Sequence, residues 1–199
     1  PAQESESPLN WSRVTKSTFG RMLLRDLPLE GGPVEVRGAF ELDRTPDGVL
    51  PRRLPAWTRS QIPDVFMNTI VQMTSGVRVV FRTDSPVVEL VVHPRTLHTV
   101  GSPFVPPVFQ LVADGVVQPD VVAHGGSAVH VDRMAGPEGI TFEHGVAATL
   151  RWAQLAPNEK TIEIWFPTNA SVEVQAVRVA EHATASVAPI TTRRWTHYG

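Results

Sequence analysis

Val172-Glu173-Val174-Gln175-Ala176-Val177-Arg178-Val179 alternates apolar and polar side chains along the chain. A period of two sends successive side chains to opposite faces, so the stretch predicts a half-buried β-strand. It is the clearest strand in the sequence, and its neighbours repeat the signal. Thr161-Ile162-Glu163-Ile164-Trp165-Phe166 alternates in the same way and is stopped by Pro167. Val77 to Thr83 places Val77, Val79 and Phe81 on one face and Arg78, Val80 and Arg82 on the other. Val87 to His93 is nearly all apolar, the mark of a strand covered on both faces. Val108–Ala113 and Val116–Gln118 flank Asp114-Gly115, which predicts a hairpin with a two-residue type I′ turn. Val34 to Leu42 alternates over its first half, and Ile140–Phe142 and Ala148–Trp152 read as short strands. About nine or ten short strands, separated by turns and with almost no helix, predict an all-β chain. The expected architecture is a jelly-roll-like β sandwich.

Between these strands the pattern is less regular. Leu50 to Trp57 holds Pro51 and Pro55, which argue against a central strand, so an extended surface loop carrying Arg52, Arg53 and Trp57 is expected. Phe66 to Met73 fits either a short helix or a strand. Pro94-Arg95 reads as a turn between His93 and His98, and Thr99 to Pro107 as a loop. These features divide the chain into an N-terminal lead and irregular segment (1–30), a sandwich domain (31–182) and a terminal stretch (183–199). The small, polar residues Ala183–Thr192 read as a linker out of the sandwich.

A chain of 199 residues is long enough to bury a core without covalent staples. It has no cysteine, which removes disulfides, thiolate nucleophiles and zinc–thiolate sites. The absence fits a reducing compartment and favours the cytoplasm, while a leader removed before Pro1 leaves export open. A formal net charge of −2 supplies no long-range field for nucleic acid. No apolar run approaches the ~20 residues of a membrane helix.

The candidate chemistry is sparse. Seven histidines (93, 98, 124, 130, 144, 182 and 197) form no tight ligand motif, so no metal and no cofactor is expected. Facing pairs on neighbouring strands are the remaining route to a metal. The carboxylates Asp47, Asp84 and Asp114 belong to turns, and Glu89, Glu163 and Glu173 to outward strand positions. Gly125-Gly126-Ser127-Ala128 and Thr74-Ser75-Gly76 are the nearest serine-nucleophile candidates, and neither has the Gly-x-Ser-x-Gly form. Trp165 and Phe166 must point to opposite faces, so one of them is core. Asn10 and Asn169 carry sequons that matter only in a glycosylating pathway.

Four segments occur in a telling order: Leu54–Arg59, Met73–Asp84, Ile162–Pro167 and Arg194-Trp195-Thr196-His197-Tyr198-Gly199. Together they resemble the N-terminal β-sandwich domain of two-domain SGNH/GDSL-type esterases, carbohydrate esterases among them. The resemblance implies that Trp195 to Gly199 is the first strand of an α/β catalytic domain, with the nucleophilic serine about two residues beyond Gly199. It also implies that the catalytic Ser, Asn and His lie outside this chain, so His197 is not the base. The implied partner is that catalytic domain, and the implied substrate an ester or acylated carbohydrate. Arg53, Trp57, Arg59, Trp165, Pro167, Trp195, His197, Tyr198 and Gly199 become the candidates for a substrate cleft or domain interface. A stand-alone carbohydrate-binding module and a structural or oligomerisation domain are the alternative readings.

Overall fold

A computed structural model describes residues 23–62 and 64–190. These residues form an all-β sandwich of two sheets with one short α-helix. In order the elements are β1 (Leu24–Leu27), β2 (Glu35–Arg37), β3 (Glu41–Arg44), β4 (Val49–Arg52), a 3₁₀ turn (Ala56–Gln61) and α1 (Val65–Val71). Then come β5 (Arg78–Thr83), β6 (Val87–Thr99), β7 (Val108–Ala113), β8 (Val116–Val117), β9 (Val121–Val122) and β10 (Ser127–Val131). A second 3₁₀ turn (Gly136–Gly139) leads to β11 (Ile140–Glu143), β12 (Ala148–Ala153), β13 (Lys160–Trp165), β14 (Ala170–Ala180) and β15 (Ala185–Ser186). Several of these strands are two to four residues long, too short to carry a period that a sequence could show.

The first sheet is built on β6 and β14, antiparallel from Thr96↔Ala170 to Val88↔Val179. The far edge of β6 is shared: β12 runs antiparallel along Val87–Val92, and β10 runs parallel along Arg95–Thr99. β11 extends β10, while β1, β4 and β3 continue the sheet beyond β14. In the second sheet β13 lies between β5 and β7. β2 and β15 share the outer edge of β5, and β8 and β9 that of β7.

The core lies between the sheets. Val88, Leu90, Val92, Val172, Val174, Val177 and Val179 face Val79, Phe81, Phe109, Leu111, Ile162 and Ile164, all fully buried. The β14 set is informative. Its apolar residues step by two from 172 to 174 and from 177 to 179, with an extra residue between. The pairing with β6 slips at this point, a β-bulge that keeps both halves of the strand facing the core. One of the chain's two lysines is also interior. Lys160 donates to the carbonyls of Ser85 (2.8 Å), Asn158 (3.2 Å) and Thr83 (3.3 Å). Burial holds its amine below the ordinary 10.5, against the pull of Asp84 and Asp114.

Several expectations change. Val34 to Leu42 is not one strand: β2 pairs with β5 in the second sheet, whereas β3 pairs with β4 in the first. The chain crosses between sheets at Gly38, whose φ is +87°. Pro51 lies inside β4 rather than in a loop. Arg52 O accepts from Phe40 N, so Pro51, one residue earlier, directs its ring nitrogen to the opposite edge. There the pairing with β14 consists of Val49↔Val174 alone, so no ladder bond is lost. Pro94-Arg95 is no turn either, because β6 runs straight through it. Pro94 falls where the edge partner changes from β12, ending at Val92, to β10, starting at Arg95. Phe66 to Met73, ambiguous in sequence, is largely the helix α1, capped by Asp64 Oδ1 accepting from Met67 N at 2.8 Å. The stretch expected as a linker adds β15 to the edge of β5 and buries Ala188.

Candidate functional site

The arginine-bearing stretch expected as a loop at residues 50–57, with Arg59 just beyond it, is held by carboxylates on β3. Asp43 receives Arg52 Nε at 2.6 Å and Arg59 Nη2 at 2.7 Å, and Arg59 also reaches Glu41 at 3.4 Å. Arg59 is thus positioned by β3, and Arg53 beside it is exposed. The 3₁₀ turn is closed by Thr58, whose N–H and Oγ1 both donate to Pro55 O. It leaves Trp57 67% exposed, while Leu54, Val65 and Met67 are exposed nearby in sequence. Between the turn and α1 lies a crevice of about 20 Å³, room for a water molecule. A wider, open groove of about 410 Å³ lies elsewhere, over the β3–β4 hairpin and the β14 bulge.

Burial tends to raise the Asp43 carboxyl, but its hydrogen bonds and charge contacts with Arg52 and Arg59 outweigh that and hold it below 3.8. A folded-state value below the unfolded one stabilises the fold above about pH 4. That contribution is lost as pH falls through the folded-state value. Asp43→Asn is expected to remove this part of the acid sensitivity. Because the cluster is partly solvated, the effect is at most about 1 kcal/mol. Urea unfolding across the acidic range checks it: parallel pH curves for the two proteins would contradict the assignment.

The aromatic pair at the end of β13 divides as expected. Phe166 is buried and meets Phe109 edge-on, ring centres 5.7 Å apart. Trp165 lies on the outer face with the Arg78 guanidinium 4.5 Å from its ring centre. Pro167 is buried and its carbonyl accepts from Thr74 Oγ1. Trp152, another aromatic of the sequence reading, is core, its Nε1 donating to Pro119 O at 3.1 Å. Trp195, His197, Tyr198 and Gly199 lie outside the described residues.

The first sheet brings together polar side chains that are distant in sequence. On its outer face Asp26, Arg178, Glu89 and Arg151 stand in register across β1, β14, β6 and β12. Arg178 pairs with Asp26 at 2.7 Å and Arg151 with Glu89 at 2.5 Å. Further along the same face, Ser127 Oγ is 2.8 Å from His93 Nε2. On the opposite face of the same two strands, since 93 and 98 are an odd number of residues apart, His98 Nδ1 is 3.1 Å from His130 Nδ1, and His130 Nε2 is 2.9 Å from Glu143. The histidines and Ser127 were visible in the sequence, but nothing in their spacing could pair them. Parallel pairing of β10 with β6 does so.

No protein-family model matches the chain, and no curated protein does. Among solved structures, the salicylyl-acyltransferase SsfX3 from a tetracycline biosynthetic pathway aligns with 84% of this chain at 21% identity and a TM-score of 0.69. A GDSL-like lipase from Bacteroides ovatus aligns with 84% at 13% identity and a TM-score of 0.50. The chain spans 42% of the first structure and 44% of the second. What is shared at these identities is the sandwich fold.

Proposed function

We propose that this chain is the accessory β-sandwich of an SGNH/GDSL-type serine esterase, acting on an ester or an acylated carbohydrate and inactive by itself. The observation that carries this reading is the alignment of 84% of this chain with less than half of an acyltransferase and of a GDSL-like lipase. The segment Arg194–Gly199 adds the resemblance to the strand that opens the catalytic domain of such enzymes. In this proposal a serine of that domain attacks the acyl carbonyl, a histidine takes its proton, and N–H donors with an asparagine hold the oxyanion. The sandwich packs against that domain. Arg53, Trp57 and Arg59 border the substrate cleft, with Arg59 fixed in place by Asp43.

The test is hydrolysis of p-nitrophenyl acetate by the 199-residue chain and by a chain extended through its downstream coding sequence. Activity confined to an extended chain with a serine within three residues of Gly199 is expected. Hydrolysis by the 199-residue chain that disappears in Ser127→Ala would instead assign the chemistry to the Ser127–His93 pair and overturn the accessory role. A downstream sequence without that serine overturns it as well.

A further inference from the structure

We propose that His98 and His130 form a binding site for a divalent transition-metal ion, with zinc as the probe. The inference is independent of the esterase reading.

The argument starts from the outer nitrogens of the two rings. His98 Nε2 lies 3.2 Å from the carbonyl oxygen of Ser102, which can only accept. His130 Nε2 lies 2.9 Å from a Glu143 carboxylate oxygen, which accepts in the same way. Both rings therefore carry their proton on Nε2. In neutral rings that leaves a lone pair on each Nδ1, and the two Nδ1 atoms face each other at 3.1 Å. Two lone pairs at that separation repel unless a positive charge lies between them. Two imidazole nitrogens bound tetrahedrally to one zinc at ordinary bond lengths are about 3.3 Å apart. The observed gap is within a few tenths of an ångström of that value.

The surroundings match a metal site in a second way. Ligating histidines usually donate their other N–H to a carboxylate or a backbone carbonyl, which fixes the tautomer and strengthens the ligand. Here Glu143 and the Ser102 carbonyl are those two acceptors. The rings stand nearly perpendicular, at 85°, and Phe104 packs edge-on against His98. His98 and His130 are also directly paired in the parallel ladder of β6 and β10, so the backbone fixes their spacing. Among the described residues no group of three or more His, Cys, Asp or Glu converges on one point. The protein thus supplies two nitrogen ligands, and water completes the shell from the exposed side of His130. Imidazole donors of this kind suit zinc, copper and nickel rather than magnesium or calcium.

Calorimetric titration of the tag-free chain with zinc chloride at neutral pH tests the site. One saturable equivalent is expected, lost in His98→Ala and in His130→Ala and weakened about tenfold or more in Glu143→Gln. Nitrogen-15 spectra of the wild-type imidazoles give a second readout that does not depend on a variant folding. They are expected to show Nε2–H tautomers without zinc and a shift of both Nδ1 signals when it is added. Absence of saturable binding overturns the proposal and leaves a third proton as the occupant of the gap. Binding that survives both histidine substitutions, or wild-type Nδ1 signals that do not move with zinc, overturns it as well.

Discussion

Phe109→Ala is expected to lower the free energy of unfolding by about 3–5 kcal/mol, the range for deleting a fully buried phenylalanine ring. Phe109 lies on β7 with no exposed surface, and its ring meets Phe166 at 5.7 Å and 62°. The substitution removes the buried ring's transfer energy and the edge-to-face contact together. It also leaves a void that the flanking strands cannot close, because hydrogen-bond ladders fix their spacing. Phe104 is the matched control. It is 59% exposed, and Phe104→Ala should change stability by no more than about 0.5 kcal/mol. Urea unfolding of both variants decides the matter. A Phe109→Ala loss under about 1 kcal/mol would mean that the two sheets are not packed through this ring.

Gly38→Ala is the second large effect, expected to cost about 2–5 kcal/mol from two sources. A φ of +87° is unfavourable for any residue with a Cβ, at about 1–2 kcal/mol. The added methyl would also lie 2.2 Å from Gly76 O and 3.2 Å from Val77 Cα. Both are backbone atoms just before β5, so relief requires moving the chain where it crosses between sheets, about 1–3 kcal/mol more. Gly76→Ala isolates the first source: its φ is +78°, but nothing lies within 4 Å of the new methyl. It is expected to cost about 1–2 kcal/mol. Equal melting temperatures for the two variants would remove the steric part of the argument.

The two variants also mark what a local pattern can and cannot express. The alternation in β5, β13 and β14 was legible because side-chain direction in a strand depends only on the residue's own position. The Asp114-Gly115 turn was legible for the same reason: both φ values are positive, 46° and 82°, as type I′ requires. By contrast Val34–Leu42 looks like one strand, because alternation carries no record of which sheet each half joins. Pro51 and Pro94 looked like breakers. Whether a missing N–H matters depends on which edge it faces and whether a partner stands there.

The candidate site follows the same division. Arg53, Trp57 and Arg59 stood out in the sequence as a loop rich in arginine and tryptophan. The role of Asp43 in clamping that loop did not, because it depends on the hairpin of β3 with β4. His93 with Ser127, and His98 with His130, are 34 and 32 residues apart. They meet only because β10 runs parallel to β6, a pairing that needs a long connection and leaves no short motif. The sequence by itself determined the longer alternating strands, their buried faces and the tightest turn, since these follow from the backbone conformation of each residue and its immediate neighbours. Only the tertiary structure decided which strands are neighbours, and so which side chains share a site. That choice rests on hydrogen bonds and core contacts between segments far apart in the chain.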